Sequence, residues 1–161
     1  MVNWIETHAH IYAEEFDEDR DRAIERAKAA GISHILMPNV DLESIPGMHA
    51  LVDKYPGFCM PMMGLHPCSV KEDQEAVLDT MLSLFADRQY CAVGEIGIDL
   101  YWDKTTLPLQ EKAFLRQVEF AIEKDLPIAI HSRNAMRECL DLLKPLQGPG
   151  LRGVFHCFSD N

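Results

Sequence analysis

The chain alternates between short apolar runs and longer stretches in which apolar residues recur at helical intervals. The apolar runs are typical of strands buried on both faces. Six such runs are found, at Val2–Ile5, Ile32–Pro38, Phe58–Leu65, Cys91–Ile98, Pro127–Ile130 and Gly153–Phe158. The stretches with helical spacing are Asp17–Ala30, Glu72–Ala86, Pro108–Lys124 and Asn134–Leu146. Because strands that alternate with helices build βαβ units, the pattern predicts an α/β fold with a parallel sheet.

The ends of these elements agree with the prediction. Gly31 follows the first helical stretch, where glycine is a common C-terminal stop. Pro108 opens the third stretch, and proline is tolerated in the first turn of a helix. Neither a linker nor an internal repeat interrupts the 161 residues. Length and pattern together predict a single domain over residues 1–161.

Composition and charge limit the functions that the chain can have. The hydrophobic content of 47% and the charged content of 25% are ordinary for a globular protein. The net charge of −11 argues against a general electrostatic grip on nucleic acid. A phosphodiester substrate would therefore be held at a metal site rather than along a basic stripe.

Location is predicted from what the sequence lacks. No apolar run approaches the roughly 20 residues that span a bilayer, and the N-terminus has no basic region followed by an apolar stretch. The five cysteines form no Cys-x-x-Cys pair. These features predict reduced thiols, no membrane partner and a cytoplasmic location.

The chemistry begins with His8-Ala9-His10, directly after the first apolar run. Residues at i and i+2 of an extended segment project from the same face. Two imidazoles on one face form a common metal-binding arrangement, although neighbouring histidines are often only structural. The pair alone is therefore a weak indication of a metal site.

Three later residues strengthen that indication. Glu95 interrupts an apolar run between Gly94 and Gly97, where a buried carboxylate needs a cation or hydrogen bonds. The alternative is a glycine-flanked turn that carries a solvent-facing Glu95. His131 and His156 each end an apolar run, and singly either one could be a core histidine.

Together, four strand ends supply only nitrogen and oxygen donors. Parallel α/β barrels collect their active-site residues at the carboxyl ends of the strands. Imidazole and carboxylate together suit divalent ions such as zinc, manganese or magnesium. A carboxylate can bridge two ions about 3.5–4 Å apart, the arrangement used in phosphodiester hydrolysis.

Five ordered motifs resemble the TatD-family metal-dependent deoxyribonucleases, over the whole chain. These motifs are Glu-Thr-His8-Ala-His10, Gly-Leu-His66-Pro, Gly-Glu95-Ile-Gly-Ile-Asp99, Ile-His131-Ser-Arg133 and Phe-His156-Cys-Phe-Ser. The resemblance implies a TIM-type (β/α)8 barrel of the amidohydrolase class. It also implies a site of two or three divalent ions that hydrolyses DNA phosphodiesters, often from strand ends and with single-stranded DNA as the partner.

The resemblance also implies a role for each matching residue. His8 and His10 would bind the first ion, and Glu95 would bridge two ions as the catalytic carboxylate. His131 and His156 would hold the second ion. His66 would contact a substrate phosphate.

Three further positions keep two interpretations each. His66 could instead be fixed by the Pro67 turn. Arg133 could bind a phosphate oxygen or pair with Asp99. The dipeptide Tyr101-Trp102 could stack on a base or form a plain hydrophobic cover.

The chain also departs from the family pattern. It stops at Asn161, just past the sixth strand, so the barrel is expected to be incomplete, with about six βα units and without the C-terminal two. The family's late aspartate has no counterpart, and Glu6 stands where the family has aspartate. Such a barrel has open edges, so we expect the chain to be part of a longer hydrolase, or a partner or self-association to cover them.

Two other functions stay open. Another amidohydrolase, such as a lactonase or amide hydrolase, commonly has a carboxylated lysine on the fourth strand; Glu95 at this position favours the nuclease branch. The barrel could also be inactive and act only in assembly, and the expected absence of the last two strands favours that alternative.

Overall fold

The structure, a computed structural model, describes residues 3–158. Its centre is a curled sheet of six parallel strands in sequential order. The strands are β1 (Trp4–Glu6), β2 (Ile32–Met37), β3 (Cys59–Met63), β4 (Ala92–Asp99), β5 (Ile128–Arg133) and β6 (Gly153–Phe155). Each predicted run contains one strand, although Val2 lies outside the described residues. The prediction of an incomplete TIM-type barrel is confirmed.

Five α-helices connect the strands of the described part. They are α1 (Arg20–Ala29), α2 (Ile45–Lys54), α3 (Gln74–Ser83), α4 (Leu107–Glu123) and α5 (Met136–Leu143). Helix α2 was not predicted, because the dipeptide Pro46-Gly47 in its first turn is typical of a turn or loop. It is stabilised by packing instead, since Ile45, Met48 and Leu51 on one face are buried.

The core consists of two main groups of buried side chains. One group joins α2 and α3 to the first three strands through residues such as Met37, Met48 and Met63. The other joins α4 to β4, where Phe114 packs among Ile96 and Ile98. Each fully buried side chain of this size contributes roughly 1.5–3 kcal/mol, which is an upper estimate. This packing fixes β4 rigidly at the middle of the sheet.

Strand β4 is buried along its whole length and contains an irregularity at Glu95. Gly94 pairs with Ala129 and Ile96 pairs with Ile130, so Glu95 is one extra residue opposite β5. Such a bulge turns a side chain away from the regular alternation of the strand. Only 3% of Glu95 is exposed. The alternative of a glycine-flanked turn with a solvent-facing Glu95 is therefore wrong.

The glycines around Glu95 are required by the close approach of β5. A Cβ atom at Gly94 would lie 2.7 Å from Cβ of Ala129. At Gly97, where φ is +143°, a Cβ would lie 2.0 Å from the carbonyl oxygen of His131. Glycine at these positions allows the two strands to approach closely around the buried carboxylate.

The sheet has two edge strands, β1 and β6. Their apolar side chains are unusually exposed: Trp4 by 63%, Ile5 by 54% and Val154 by 62%. Edges of this kind are available for pairing with another strand. None of the helices among residues 3–158 is long and apolar enough to cross a membrane.

The close packing at Gly97 gives a first test. Gly97→Ala should lower the free energy of unfolding by about 3 kcal/mol, because the new methyl group meets the β5 backbone at a positive φ. The matched control is Gly148→Ala, because no atom lies within 4 Å of a Cβ built there. Urea unfolding should give parental stability for the control within about 0.5 kcal/mol. Equal stability of Gly97→Ala and the parent would contradict the packing.

Candidate metal centre

The predicted metal ligands gather at the carboxyl ends of the strands. His8 and His10 follow β1, and His66 follows β3. Glu95 lies inside β4 rather than at its end, and His131 lies in β5. His156 comes directly after β6. Residues far apart in the sequence therefore meet because parallel strands end at one rim.

The carboxylate of Glu95 lies at the centre of this group. Its Oε2 atom is 3.2 Å from His8 Nε2, 3.6 Å from His10 Nε2 and 3.9 Å from His66 Nε2. Its Oε1 atom is 3.2 Å from His131 Nδ1. One buried acid thus contacts imidazoles from three other segments of the rim.

The surroundings of Glu95 and His66 shift both pKa values towards the metal-binding protonation state. Burial tends to raise the pKa of Glu95, but hydrogen bonds with His10, His131 and His8 outweigh it and hold the pKa well below its usual range. Burial lowers the pKa of His66 to about 4, so this imidazole is neutral near pH 7. An ionised carboxylate beside a neutral imidazole is the state that binds metal ions.

Two overlapping donor groups result. His8, His10 and Glu95 form one, and His66, Glu95 and His131 form the other; within each group the ligand atoms lie within 4.8 Å of one another. The mixture of nitrogen and oxygen donors fits divalent ions. Because Glu95 belongs to both groups, the arrangement suits a carboxylate that bridges two ions.

His66 and His156 differ from the arrangement that the resemblance implies. His66, expected at a substrate phosphate, is a member of the second donor group. His156, expected in that group, stacks on His8 with ring centroids 3.4 Å apart and planes inclined by 10°. Both histidines are nevertheless at the same rim, and their individual roles stay predictions.

Hydrogen bonds orient the histidines of the first donor group. The Tyr12 hydroxyl donates to the Pro38 carbonyl at 2.6 Å and lies 2.8 Å from His10 Nδ1. Since its one proton is used, Tyr12 accepts from His10 Nδ1–H, and this bond turns Nε2 of the ring towards Glu95. Glu6 accepts from the backbone N–H of His8 at 3.0 Å, so glutamate at this position supports the segment.

Asp99 connects the metal-binding rim to the loop after β4. Its Oδ2 atom lies 2.8 Å from His131 Nε2. Its Oδ1 atom accepts hydrogen bonds from the backbone N–H groups of Tyr101 and Trp102, at 2.9 and 3.0 Å. Arg133 makes no ion pair with Asp99 within residues 3–158; its guanidinium carbon lies 3.8 Å from the Tyr101 ring centroid.

Three buried amides, none of them among the predicted site residues, hold the backbone of the rim. The Gln110 side chain both accepts from the Asp99 N–H and donates to its carbonyl, at 2.8 and 3.1 Å. Gln117 forms the same pair of bonds with Leu65, next to His66, at 2.7 and 3.3 Å. Asn39 donates to the Gly64 carbonyl at 3.1 Å.

A sequence pattern could have revealed these amides. Gln110 and Gln117 lie on the apolar face of α4, beside Ala113, Phe114 and Val118. A polar residue on a buried face needs a hydrogen-bond partner, and free strand ends offer such partners. Asn39 directly follows the second apolar run, so it too is a polar residue at a free strand end that needs a hydrogen-bond partner.

Comparison with known proteins is consistent with this geometry. The family described as TatD related DNase matches residues 5–161. An uncharacterized metal-dependent hydrolase, YabD of Bacillus subtilis, is 34% identical over 96% of this chain. The 3'-5' ssDNA/RNA exonuclease TatD of Yersinia pseudotuberculosis is 33% identical over 91% of this chain.

Solved structures are similar in fold. The TatD homolog YJJV of Escherichia coli superposes with a TM-score of 0.88 and 29% identity over 98% of this chain. A TatD-family hydrolase of Entamoeba histolytica gives a TM-score of 0.83 and 26% identity over 98% of this chain. The chain spans 60% of YabD, 56% of the Yersinia protein, 61% of the Escherichia chain and 59% of the Entamoeba chain.

The hydroxyl of Tyr12 offers a test of the first donor group. Tyr12→Phe removes the acceptor of His10 Nδ1–H, so Mn²⁺ affinity measured by calorimetry should fall roughly 10- to 100-fold. Tyr90→Phe is the matched control, since the Tyr90 hydroxyl bonds His49 Nε2 at 2.9 Å and not a predicted ligand. Equal affinity in both variants would show that Tyr12 does not orient His10.

Proposed function

Because the chain belongs to the TatD family of metal-dependent hydrolases, we propose that it hydrolyses phosphodiester bonds of single-stranded DNA with two or three divalent ions. The Yersinia relative is named a 3'-5' ssDNA/RNA exonuclease, and this name supports cleavage from the 3′ end. Magnesium, manganese and zinc all suit the donors, and the cytoplasmic location stays a prediction.

The observation that carries the proposal is the position of Glu95. Glu95 is 3% exposed, and the partners that surround its carboxylate are four imidazoles, those of His8, His10, His66 and His131. A buried acid among imidazoles is a donor set that suits divalent ions. Its Oε2 atom contacts His8 and His10 of the first donor group, and its Oε1 atom contacts His131 of the second, so the carboxylate can serve both ions.

Each side chain of the centre has a specific part in the proposed reaction. Divalent ions, when bound, would supply Lewis-acid polarisation of the phosphoryl oxygen and a water of lowered pKa. Glu95 contributes the fixed negative charge that holds them together. Tyr12 fixes the tautomer of His10, and Asp99 holds the ring of His131 through Nε2. These contacts keep the donors in place before substrate binds.

The role of His156 stays part of the proposal. It lies against His8, beside the first donor group. It would hold the second ion together with His131, and its lowered pKa, caused by burial and the neighbouring His8, leaves the ring neutral, as a metal ligand must be. Arg133 is proposed to contact a phosphate, since its guanidinium lies on the exposed side of the rim.

The other amidohydrolase functions lack a corresponding observation. The fourth strand, β4, carries Glu95 and no lysine. A carboxylated lysine would need its side chain at that same position. The donor set therefore favours phosphodiester hydrolysis over amide or lactone hydrolysis.

Cleavage of an end-labelled oligonucleotide tests the proposed function. With Mn²⁺ or Mg²⁺, a 5′-labelled single strand should shorten progressively from its 3′ end, and EDTA should stop the reaction. Glu95→Gln should lower kcat/KM at least ~10³-fold, because one change weakens both ion sites.

Glu119→Gln is the matched control for that assay, because Glu119 is an exposed carboxylate on α4. Its kcat/KM should equal that of the parent. Equal cleavage by Glu95→Gln and the parent would refute a role for Glu95. No cleavage by the parent, despite bound Mn²⁺, would favour the alternative of an inactive metal-binding barrel.

The expected covering of the sheet edges has its own test. If a second copy covers β1 and β6, light scattering should give a mass of at least two chains. Val154→Lys should then shift the mass to that of one chain, because lysine opposes pairing at an edge. Leu140→Lys is the control, since Leu140 is an exposed residue of α5 away from the edges. A single-chain mass for the parent would exclude self-association.

A further inference from the structure

Two exposed aromatic rings stand beside the metal-binding rim. Tyr101 is 53% and Trp102 is 70% exposed, in the loop that follows β4. Their ring centroids are 4.9 Å apart and their planes are perpendicular. Two adjacent, highly exposed aromatic rings form a contiguous apolar patch, and such patches often mark binding sites.

Hydrogen bonds hold the loop after β4 in place. Asp99 Oδ1 accepts from the N–H groups of both Tyr101 and Trp102, while Oδ2 contacts His131. Gln110 adds bonds to the carbonyl groups of Asp99 and Asp103. One carboxylate therefore fixes the backbone that carries the two aromatic rings relative to His131, a predicted ligand of the second ion.

Arg133 completes the cluster. Its guanidinium carbon lies 3.8 Å from the ring centroid of Tyr101 and 5.5 Å from that of Trp102. Within residues 3–158 its side chain makes neither an ion pair nor a hydrogen bond. Its N–H donors are thus available to an external acceptor, and Arg133 is exposed.

We propose that Tyr101, Trp102 and Arg133 form a stacking platform for one unpaired nucleobase of the substrate strand. The base would lie on the open face of Trp102, and Arg133 would contact a phosphate of the same strand. Aromatic rings beside an arginine are the usual means of holding single strands without reading their sequence. The platform rests on the proposed function, because it supplies the substrate side of the same site.

Negative charge beside His10 and Tyr12 supports placing the substrate strand on the Arg133 side of the rim. A groove of about 780 Å³ begins at His10 and Tyr12. Its border carries four carboxylates, those of Glu14, Glu15, Asp41 and Glu43. Acidic walls repel a phosphodiester backbone, so the strand is expected on the Arg133 side.

Tryptophan fluorescence tests the platform without cleavage. The 161 residues contain two tryptophans, Trp4 and Trp102. In a Trp4→Phe protein the emission comes from Trp102, which a stacked base should quench. With EDTA present, a ten-residue oligothymidylate should quench saturably, whereas an abasic strand of equal length and inorganic polyphosphate should not.

Two outcomes of that titration would overturn the platform. One is the absence of saturable quenching by the oligothymidylate, and the other is equal quenching by the abasic strand. Because the titration involves neither metal nor turnover, quenching there together with no cleavage in the separate assay with Mn²⁺ or Mg²⁺ would leave the platform intact and refute the proposed function. Cleavage in that assay without quenching in the titration would refute the platform and leave the proposed function intact.

Steady-state kinetics give a second readout. Trp102→Ala should raise KM for the oligothymidylate roughly 5- to 100-fold with little change in kcat. Trp102→Phe should restore most of the affinity, since a phenyl ring still stacks. Trp4→Ala removes a ring of similar exposure at the start of β1, outside the platform, and should leave KM unchanged. An equal KM for Trp102→Ala and the parent would contradict stacking.

Discussion

The burial of a single negative charge determines most of the structure around the rim. The carboxylate of Glu95, in β4, is buried away from water. Contacts with His8, His10, His66 and His131 compensate for the lost hydration. The bulge in β4 directs its side chain, and glycines allow β5 to approach closely beside it. The packing of α4 against β4 keeps this arrangement rigid, so fold and chemistry are linked at one residue.

Hydrogen bonds from residues outside the predicted ligand set hold the ligands and the strand ends of the rim in position. Tyr12 fixes His10, Asp99 fixes His131, and Gln110 and Gln117 hold the ends of β4 and β3 from α4. Each buried amide satisfies backbone groups that would otherwise be unpaired at a free strand end. The donors therefore stand on a preformed frame, as expected for a site that must hold ions closely spaced.

The sequence predicted the parallel sheet because its period changes are clear, and it identified the residues that meet at the rim because strand ends converge. It did not predict α2, whose first turn contains Pro46 and Gly47 and whose stability comes from packing. Nor did it indicate that His66, rather than His156, would approach Glu95, since that distance depends on how far the sheet curls. Likewise the sequence did not show which backbone groups Gln110 and Gln117 would bond, because this depends on how the buried face of α4 packs on the strands.

The stack of His8 on His156 has a consequence for the mechanics of the sheet. These rings follow the first and the last strand, yet their centroids are 3.4 Å apart. The distance between them depends on the total curvature of the sheet. That curvature is built up from the small rotations at the five pairings of neighbouring strands. Ligand spacing is therefore a cumulative property of the sheet. A change of a few degrees at any pairing, however remote, alters the distance between its two ends.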